Sequence, residues 1–488
     1  MNNDSDLAKL KIPRRTLALI TVALGQFMCI ITLMTVSTAL PTIGSAMDIE
    51  LAEAGWIVSA FLFGLSAFVL IAGRLGDLYG YRKVFVFGLV LFTIAGTLAG
   101  FAPEIMSLSI IRFVQGVGAA LILGTTYAIV ADMYAIHERG RAMGVVLASA
   151  PLGGLVGLAF SPLILAQFSW NWIFIITTTP FGVVAFILAG IMGVKDPSER
   201  NAEVTLDMKG SLLFGAFMGF LLLSFSHLHD GEETFQAGWQ YHTGMQVLAV
   251  IFLSIFIWFE KRTNNPLVPL GLFRNKSFTA ACLANGILHM TMMTIFFTFP
   301  FMVENGLQRT NVETASLLIV FSAFNALFAL FSGWIYDKTH WEPLKPISLA
   351  GVGCCLGSLG LAVWFGAPYI VLYLILVILG VFSGLFITPI ASAIMVSLPS
   401  EYKGFASGMV ETSRHVGHSF GAAIATVIMG FSILGSLSQS SSDPVLYLEA
   451  FRNVGVIVGS IAILGTIPSA IKSPLTAIND YFGVNERA

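Results

Sequence analysis

The chain divides into fourteen stretches of roughly 20 or more mostly apolar residues, separated by short charged or turn-forming segments. These runs begin near residues 16, 54, 84, 107, 142, 170, 210, 243, 278, 313, 346, 369, 407 and 450. About 20 residues of helix cross a bilayer, and lipid offers no partner to an unpaired backbone group, so each run is expected to be a membrane-spanning helix. Composition agrees: 56% of residues are hydrophobic and 11% charged, against roughly 25% charged in soluble domains. The expected fold class is therefore an all-α polytopic membrane protein with 14 transmembrane helices. The first run, Thr16 to Leu40, is too long for the apolar core of a cleaved leader and leads into Pro41, so it is read as a span.

Loop charges orient the spans. Of the 25 Lys and Arg, 21 fall in the tails and loops on the N-terminal side of an alternating topology. Arg309 and Arg452 lie on the opposite side, and Arg112 and Arg414 lie inside spans. The excess of positive charge places both termini in the cytoplasm of a cell (inner) membrane. The net charge of −2 carries no message about acidic or basic partners, and no nucleic-acid partner is expected.

Several chemistries are excluded. Cys29, Cys282, Cys354 and Cys355 all sit in apolar runs and read as small core residues rather than disulfides or metal ligands. His227, His229, Asp230, Glu232, Glu233 and His242 share one loop region without metal-ligand spacing, so no metal is expected. There is no phosphate-binding G-x-x-x-x-G-K-[ST] segment and no nucleophile triad or catalytic carboxylate pair, so neither nucleotide-driven transport nor an enzyme is expected.

The segment from Gly73 to Lys83 has a partial echo, Gly333 to Lys338, at nearly the same distance from the start of a second half. The chain is therefore divided into a tail (1–15), a six-helix bundle (16–194), a two-helix insert with linkers (195–275), a second six-helix bundle (276–472) and a tail (473–488). Duplicated bundles with a central site suit alternating access.

The residues Gly73-Arg74-Leu75-Gly76-Asp77-Leu78-Tyr79-Gly80-Tyr81-Arg82-Lys83 resemble the G-x-L-a-D-r-x-G-r-k loop of the major facilitator superfamily. Arg112 with Gln115, Gly116 and Gly118 resembles its fourth-helix motif, and Pro151, Gly153 and Gly154 part of its fifth-helix motif. Fourteen spans, the stretch from Glu260 to Phe278, and Gly408 to Arg414 narrow the resemblance to the fourteen-helix drug:proton antiporter-like branch. It implies a conformational-switch loop of Gly73, Gly76, Asp77, Gly80, Arg82 and Lys83 with Asp337 in the echo, Asp77 capping a helix of the other half. From the residues alone, Asp77 beside Arg74, Arg82 and Lys83 can form a breakable charge network, or the loop is solvated and only orients the protein.

Buried charges mark the expected substrate and proton pathway: Arg112, His289, Glu411, Arg414, His415 and His418. At 100° per residue Glu411, Arg414, His415 and His418 share one helix face spanning about 100°. That face is either a protonation site or a static Glu411–Arg414 ion pair with packed histidines. Arg112 is either functional or a structural hydrogen-bonding group. His289, with Asn285, adds a proton or ligand site or is a core histidine. It lies among Met290, Met292, Met293, Phe296, Phe297, Phe299 and Phe301, which either line a tolerant cavity or face lipid. The branch's usual first-helix aspartate is replaced by Thr32 and its asparagine by Ser37; Glu411, His415 and His418 stand where it carries Asn, Gln and Gly. These departures suggest that protonation has moved to the Glu411 stripe.

The expected function is secondary active transport, namely proton-coupled export of small, largely apolar organic compounds by alternating access. Its energy source would be a proton gradient and no cofactor is expected. Its partners would be a small-molecule substrate, protons and the lipid bilayer, with a periplasmic adaptor left open. The alternatives are a dedicated carrier of one polar or anionic metabolite and, in another class, a transport-dead sensor or assembly protein.

Overall fold

The computed structural model describes residues 13–49, 51–191, 206–224, 232–339, 341–434 and 444–472. Among these, every regular element is helical. Fourteen helices of 16 residues or more stand where the apolar runs lie. They are α1 (Arg14–Met47), α2 (Leu51–Tyr79), α3 (Tyr81–Ala99), α4 (Ile105–Met133), α5 (Ile136–Leu165), α6 (Asn171–Ile191), α7 (Met208–Leu223) and α8 (Glu232–Glu260). There follow α9 (Lys276–Phe301), α10 (Asn311–Thr339), α11 (Leu344–Trp364), α12 (Tyr369–Val396), α13 (Lys403–Leu434) and α14 (Pro444–Leu464). Among the described residues, twelve helices are long and apolar enough to cross a membrane. α7 is shorter, with 16 residues.

Three helices start further out than the runs predict: α5 at Ile136, α8 at Glu232 and α14 at Pro444. A hydropathy pattern misses polar turns, such as the one holding His137, Glu138 and Arg139, which remain helical beyond the apolar stretch. Local signals set other ends. Asn275 accepts from the backbone N–H of Ser277 and Phe278 at 3.0 and 3.3 Å and caps α9, and Asp207 accepts from Gly210 at 2.9 Å and caps α7. Both satisfy amides that a helix start leaves unpaired.

Helices α1–α6 are termed the first half and α9–α14 the second. In the first, α4 packs on α2 and α3, and α1 on α5 and α6; in the second, α12 packs on α10 and α11, and α13 on α9. Between halves, α5 packs on α10, and α13 on α2 and α4. α7 lies against α2 and α8. Cys29, Cys282 and Cys355 are buried as expected, but Cys354 is exposed: adjacent residues on a helix point about 100° apart, so burying Cys355 turns Cys354 outward. The tail residues 1–12 and 473–488 and the histidines at 227 and 229 lie outside the described residues.

Candidate functional site

The face of the molecule on which α1 begins is termed the N-terminal face. α13 also starts there, and two turns into it stands Glu411, which is fully buried (0% exposed). One of its oxygens is ion-paired with Arg414, a turn further along. The other accepts the hydroxyl of Tyr127, on α4 of the opposite half, at 3.0 Å. His415 Nε2 lies 3.8 Å from the carboxylate. The His418 ring meets those of His415 and His289 edge-on, with centroids 6.0 and 5.1 Å apart. Asn285 of α9 donates to the Val410 carbonyl at 3.0 Å and the Ser413 hydroxyl at 2.8 Å, fixing the turn that carries Glu411. The predicted stripe is thus one cluster, joined by His289.

Two of its members were not expected. Tyr127 supplies the contact across the halves, and Gln26 of α1 approaches its hydroxyl without a hydrogen bond of good geometry. Both amide atoms of Gln26, Arg414 Nε, His415 Nε2 and Thr412 Oγ1 are buried with no hydrogen-bond partner. Unpaired buried polar atoms cost about 1–3 kcal/mol each. Their accumulation here suits a site that admits a proton, water or solute at another stage of a cycle. The available signal for Tyr127 was a phenol inside an apolar span, which needs a partner.

Arg112 does not join this cluster. It lies on α4 fifteen residues before Tyr127, about 22 Å of helical rise. It donates to the Ile57 carbonyl at 3.2 Å and to Gln115 at 2.6 Å, sits 4.3 Å from the centre of the Phe61 ring, and leaves Nη2 unpartnered. No carboxylate pairs with it among the described residues. Thr32, where the branch has its aspartate, bonds the carbonyls of Met28 and Thr177 at 2.9 and 3.3 Å.

The switch-loop residues lie at the N-terminal face. Asp77 accepts from the backbone N–H of Gly404 at 2.8 Å and of Phe405 at 3.0 Å, at the start of α13, and from the Tyr81 hydroxyl at 2.8 Å. Asp337 makes the corresponding contact in the other direction, accepting from Gly140 at 2.8 Å and Arg141 at 2.7 Å, one turn into α5. A carboxylate at a helix N-terminus meets both unpaired amides and the positive end of the dipole. Close backbone approach makes this possible: a Cβ at Gly73 would collide with the Gly404 carbonyl, and one at Gly333 with that of Gly140. Gly80, at φ 108°, makes the turn between α2 and α3.

Of the charge network drawn from sequence, Arg74 acts electrostatically on Asp77. Arg82 donates to the Gly190 carbonyl at 3.1 Å, Lys83 is exposed, and the Asp77 oxygens are taken by Gly404, Phe405 and Tyr81, because two adjacent helix-start amides offer a carboxylate fixed donors. A second cross-half contact, Lys403 to Asp132 at 2.6 Å, was also missed.

The other predicted residues are packing contacts. Gly76 lies under Tyr81 and Thr125, Gly116 against the Phe61 backbone, and Gly118 against Phe92. Gln115 Nε2 donates to the Thr178 hydroxyl at 3.4 Å. Pro151 is inside α5, Gly153 faces the Phe27 carbonyl on α1, and Gly154 has more room. Around His289, Phe299 and Met292 are buried while Phe296 is exposed, so these side chains do not share one face. Among the described residues no group of three metal-competent side chains forms.

Comparison with known proteins places these features. The chain is 30% identical over 437 residues to the multidrug resistance protein Stp of Mycobacterium tuberculosis (strain CDC 1551), covering 86% of this chain and 75% of Stp. It is 25% identical over 423 residues to the multidrug transporter protein MdtP of Bacillus subtilis, covering 86% and 76%. It is 25% identical over 454 residues to the riboflavin transporter RibZ of Clostridioides difficile, covering 93% and 96%. In fold it is similar to the human organic anion transporter MFSD10, with a TM-score of 0.63 at 13% identity over 94% of this chain and all of that one. The proton:xylose symporter XylE gives a TM-score of 0.61 at 14% identity, covering 91% and 94%. The sequence pattern of the Major Facilitator Superfamily matches residues 22–422, and with its helical bundle and transporter relatives the chain belongs to that superfamily as a multi-pass membrane transporter, not an enzyme.

Proposed function

We propose that this protein is a proton-coupled exporter of small, largely apolar organic compounds, working by alternating access in a cell membrane with its N-terminal face in the cytoplasm. The observation that carries this reading is Glu411: a carboxylate 0% exposed, ion-paired on its own helix and hydrogen-bonded across the halves. A buried acid whose partners come from both moving bodies can bind a proton in one state and release it in the other. Two multidrug relatives support an organic cargo. The proton gradient is the energy source in this reading, and Arg112 serves as an orienting group. The test is uptake of a panel of cationic, neutral and anionic compounds into proteoliposomes under an imposed pH gradient. Gradient-driven movement of cationic or neutral apolar compounds is expected, and Glu411→Gln should abolish it with the protein still inserted. Unchanged transport by that variant would overturn the reading.

A second reading is a dedicated carrier of one polar compound. The riboflavin transporter relative favours it, as does the Gln26 amide, which is buried with its donor and acceptor both unfilled and could pair with a polar edge of such a solute. Transport confined to one compound of the panel, and lost in Gln26→Leu, would select it.

A further inference from the structure

The cross-half bond between Tyr127 and Glu411 points to more than a packing contact. We propose that Tyr127 is a positioning residue that makes closure of the N-terminal face depend on the proton on Glu411. The bond holds the halves together while Glu411 is ionised and gives way when it is protonated. This rests on the reading that Glu411 is the proton-binding group.

The groups facing Glu411 come from four helices: Arg414, His415 and His418 on its own α13, His289 on α9, Tyr127 on α4, and Cys29 with Gln26 on α1. The Arg414 pair lies within one helix and survives any separation of the halves. The Tyr127 bond, 3.0 Å long and fully buried at both ends, does not. A phenol has one proton to donate. It goes to the carboxylate while that is charged, since a hydrogen bond to a charged acceptor is about twice as strong as one to a neutral acceptor.

Gln26 supplies the alternative. Its side-chain amide is buried with neither atom hydrogen-bonded and faces the Tyr127 hydroxyl, and a half-turn of the amide presents its oxygen to that hydroxyl. Once Glu411 is neutral, the hydroxyl can turn to Gln26, and both belong to the first half. A bond between halves is thereby exchanged for one within a half. The proton that reaches Glu411 stays on its carboxyl group, and no other covalent bond changes.

The direction follows from linkage. Ionised Glu411 gains Tyr127 only when the face is closed, so the closed form binds the proton less well than the open form. The closed population is therefore complete at high pH and lost as pH falls through the titration of Glu411. With this face cytoplasmic, a proton arriving from the far side would open the cytoplasmic side, as proton-driven export requires.

The test uses the full chain in lipid, with spin labels on His137→Cys and Thr339→Cys. These exposed positions flank the Asp337 contact on opposite halves, and Cys354→Ser removes the exposed native thiol. Label distances at about pH 8 and about pH 3.5 bracket the ordinary carboxylate and histidine titrations. In the parent the closed-to-open ratio should fall roughly tenfold or more on acidification, the worth of a hydrogen bond to a charged group. Tyr127→Phe, which keeps the ring, should show a low ratio at both pH values. Gln26→Leu should raise the closed fraction at low pH.

Asp77→Ala controls for general loosening, lowering the ratio at both pH values while keeping the tenfold response. A parent insensitive to pH, or a Tyr127→Phe variant with the parent's response, would overturn the proposal. A Glu411→Gln variant that kept the response would do the same and assign it to the histidines. Failure of the transport reading is seen separately, as gradient-driven flux that persists in Glu411→Gln.

Discussion

Arg112 and Glu411 are both charged, both 0% exposed and both inside apolar helices, yet they are held in different ways. Arg112 is enclosed by one half: α2 provides a carbonyl and a ring, and its own helix provides Gln115. Glu411 draws partners from its own helix and, through Tyr127, from the opposite half. A charge satisfied within one rigid body feels the same surroundings throughout a rocking cycle. A charge satisfied across the seam does not, so under the proposed function burial alone does not mark a coupling residue. The origin of the partners does.

The comparison predicts unequal consequences. Glu411→Gln should reduce gradient-driven transport to the level of protein-free liposomes, the largest effect expected of any single change. Arg112→Gln removes a charge whose insertion costs roughly 2.5–3.5 kcal/mol, so membrane insertion should be undiminished. Transport should slow while its pH profile keeps its midpoint. Initial rates across a pH series check both, and a displaced midpoint in Arg112→Gln would erase the distinction.

At the N-terminal face the contrast lies between backbone and side chain. Gly140→Ala would push a methyl group into the Gly333 carbonyl and Asp337, so it should all but eliminate the closed form. Asp77→Ala and Asp337→Ala should each weaken it by about 1–2 kcal/mol, the usual worth of a helix cap. Asp77 should matter somewhat more, since Tyr81 also holds it. Label distances at a fixed pH rank the three, and a closed form undiminished in Gly140→Ala would break the order.

What could be read in advance follows a physical divide. The fourteen runs mark the helices because hydropathy is a property of contiguous sequence. The Glu411 stripe is legible because residues three and four apart share a face. Tyr127 lies 284 residues from Glu411, and only the assembled halves bring them together. Arg112 and Glu411 looked alike because a sequence displays charge and apolar surroundings but not depth along two different helices. The hydrogen-bond donors to Asp77 were missed for a related reason. Arginine and lysine are visible in sequence as partners, while the backbone amides of Gly404 and Phe405 belong to no side chain.

The smallest effect should come from the Lys403–Asp132 bridge. Its nitrogen and oxygen are 2.6 Å apart and, like Tyr127 and Glu411, they join the two halves. The side chains, however, are 25% and 22% exposed, so solvent screens the pair. Partly exposed ion pairs contribute about 0–1 kcal/mol, which limits the change in closed-to-open ratio to about fivefold. Lys403→Ala should therefore shift the label distances slightly, and by an amount that raised salt reproduces in the parent. The Tyr127→Phe shift should resist salt, because no ions reach a bond buried at both ends. Should Lys403→Ala match Asp77→Ala in size and ignore salt, crossing between the halves would outweigh burial, and the ranking of contacts at this face would have to be redrawn.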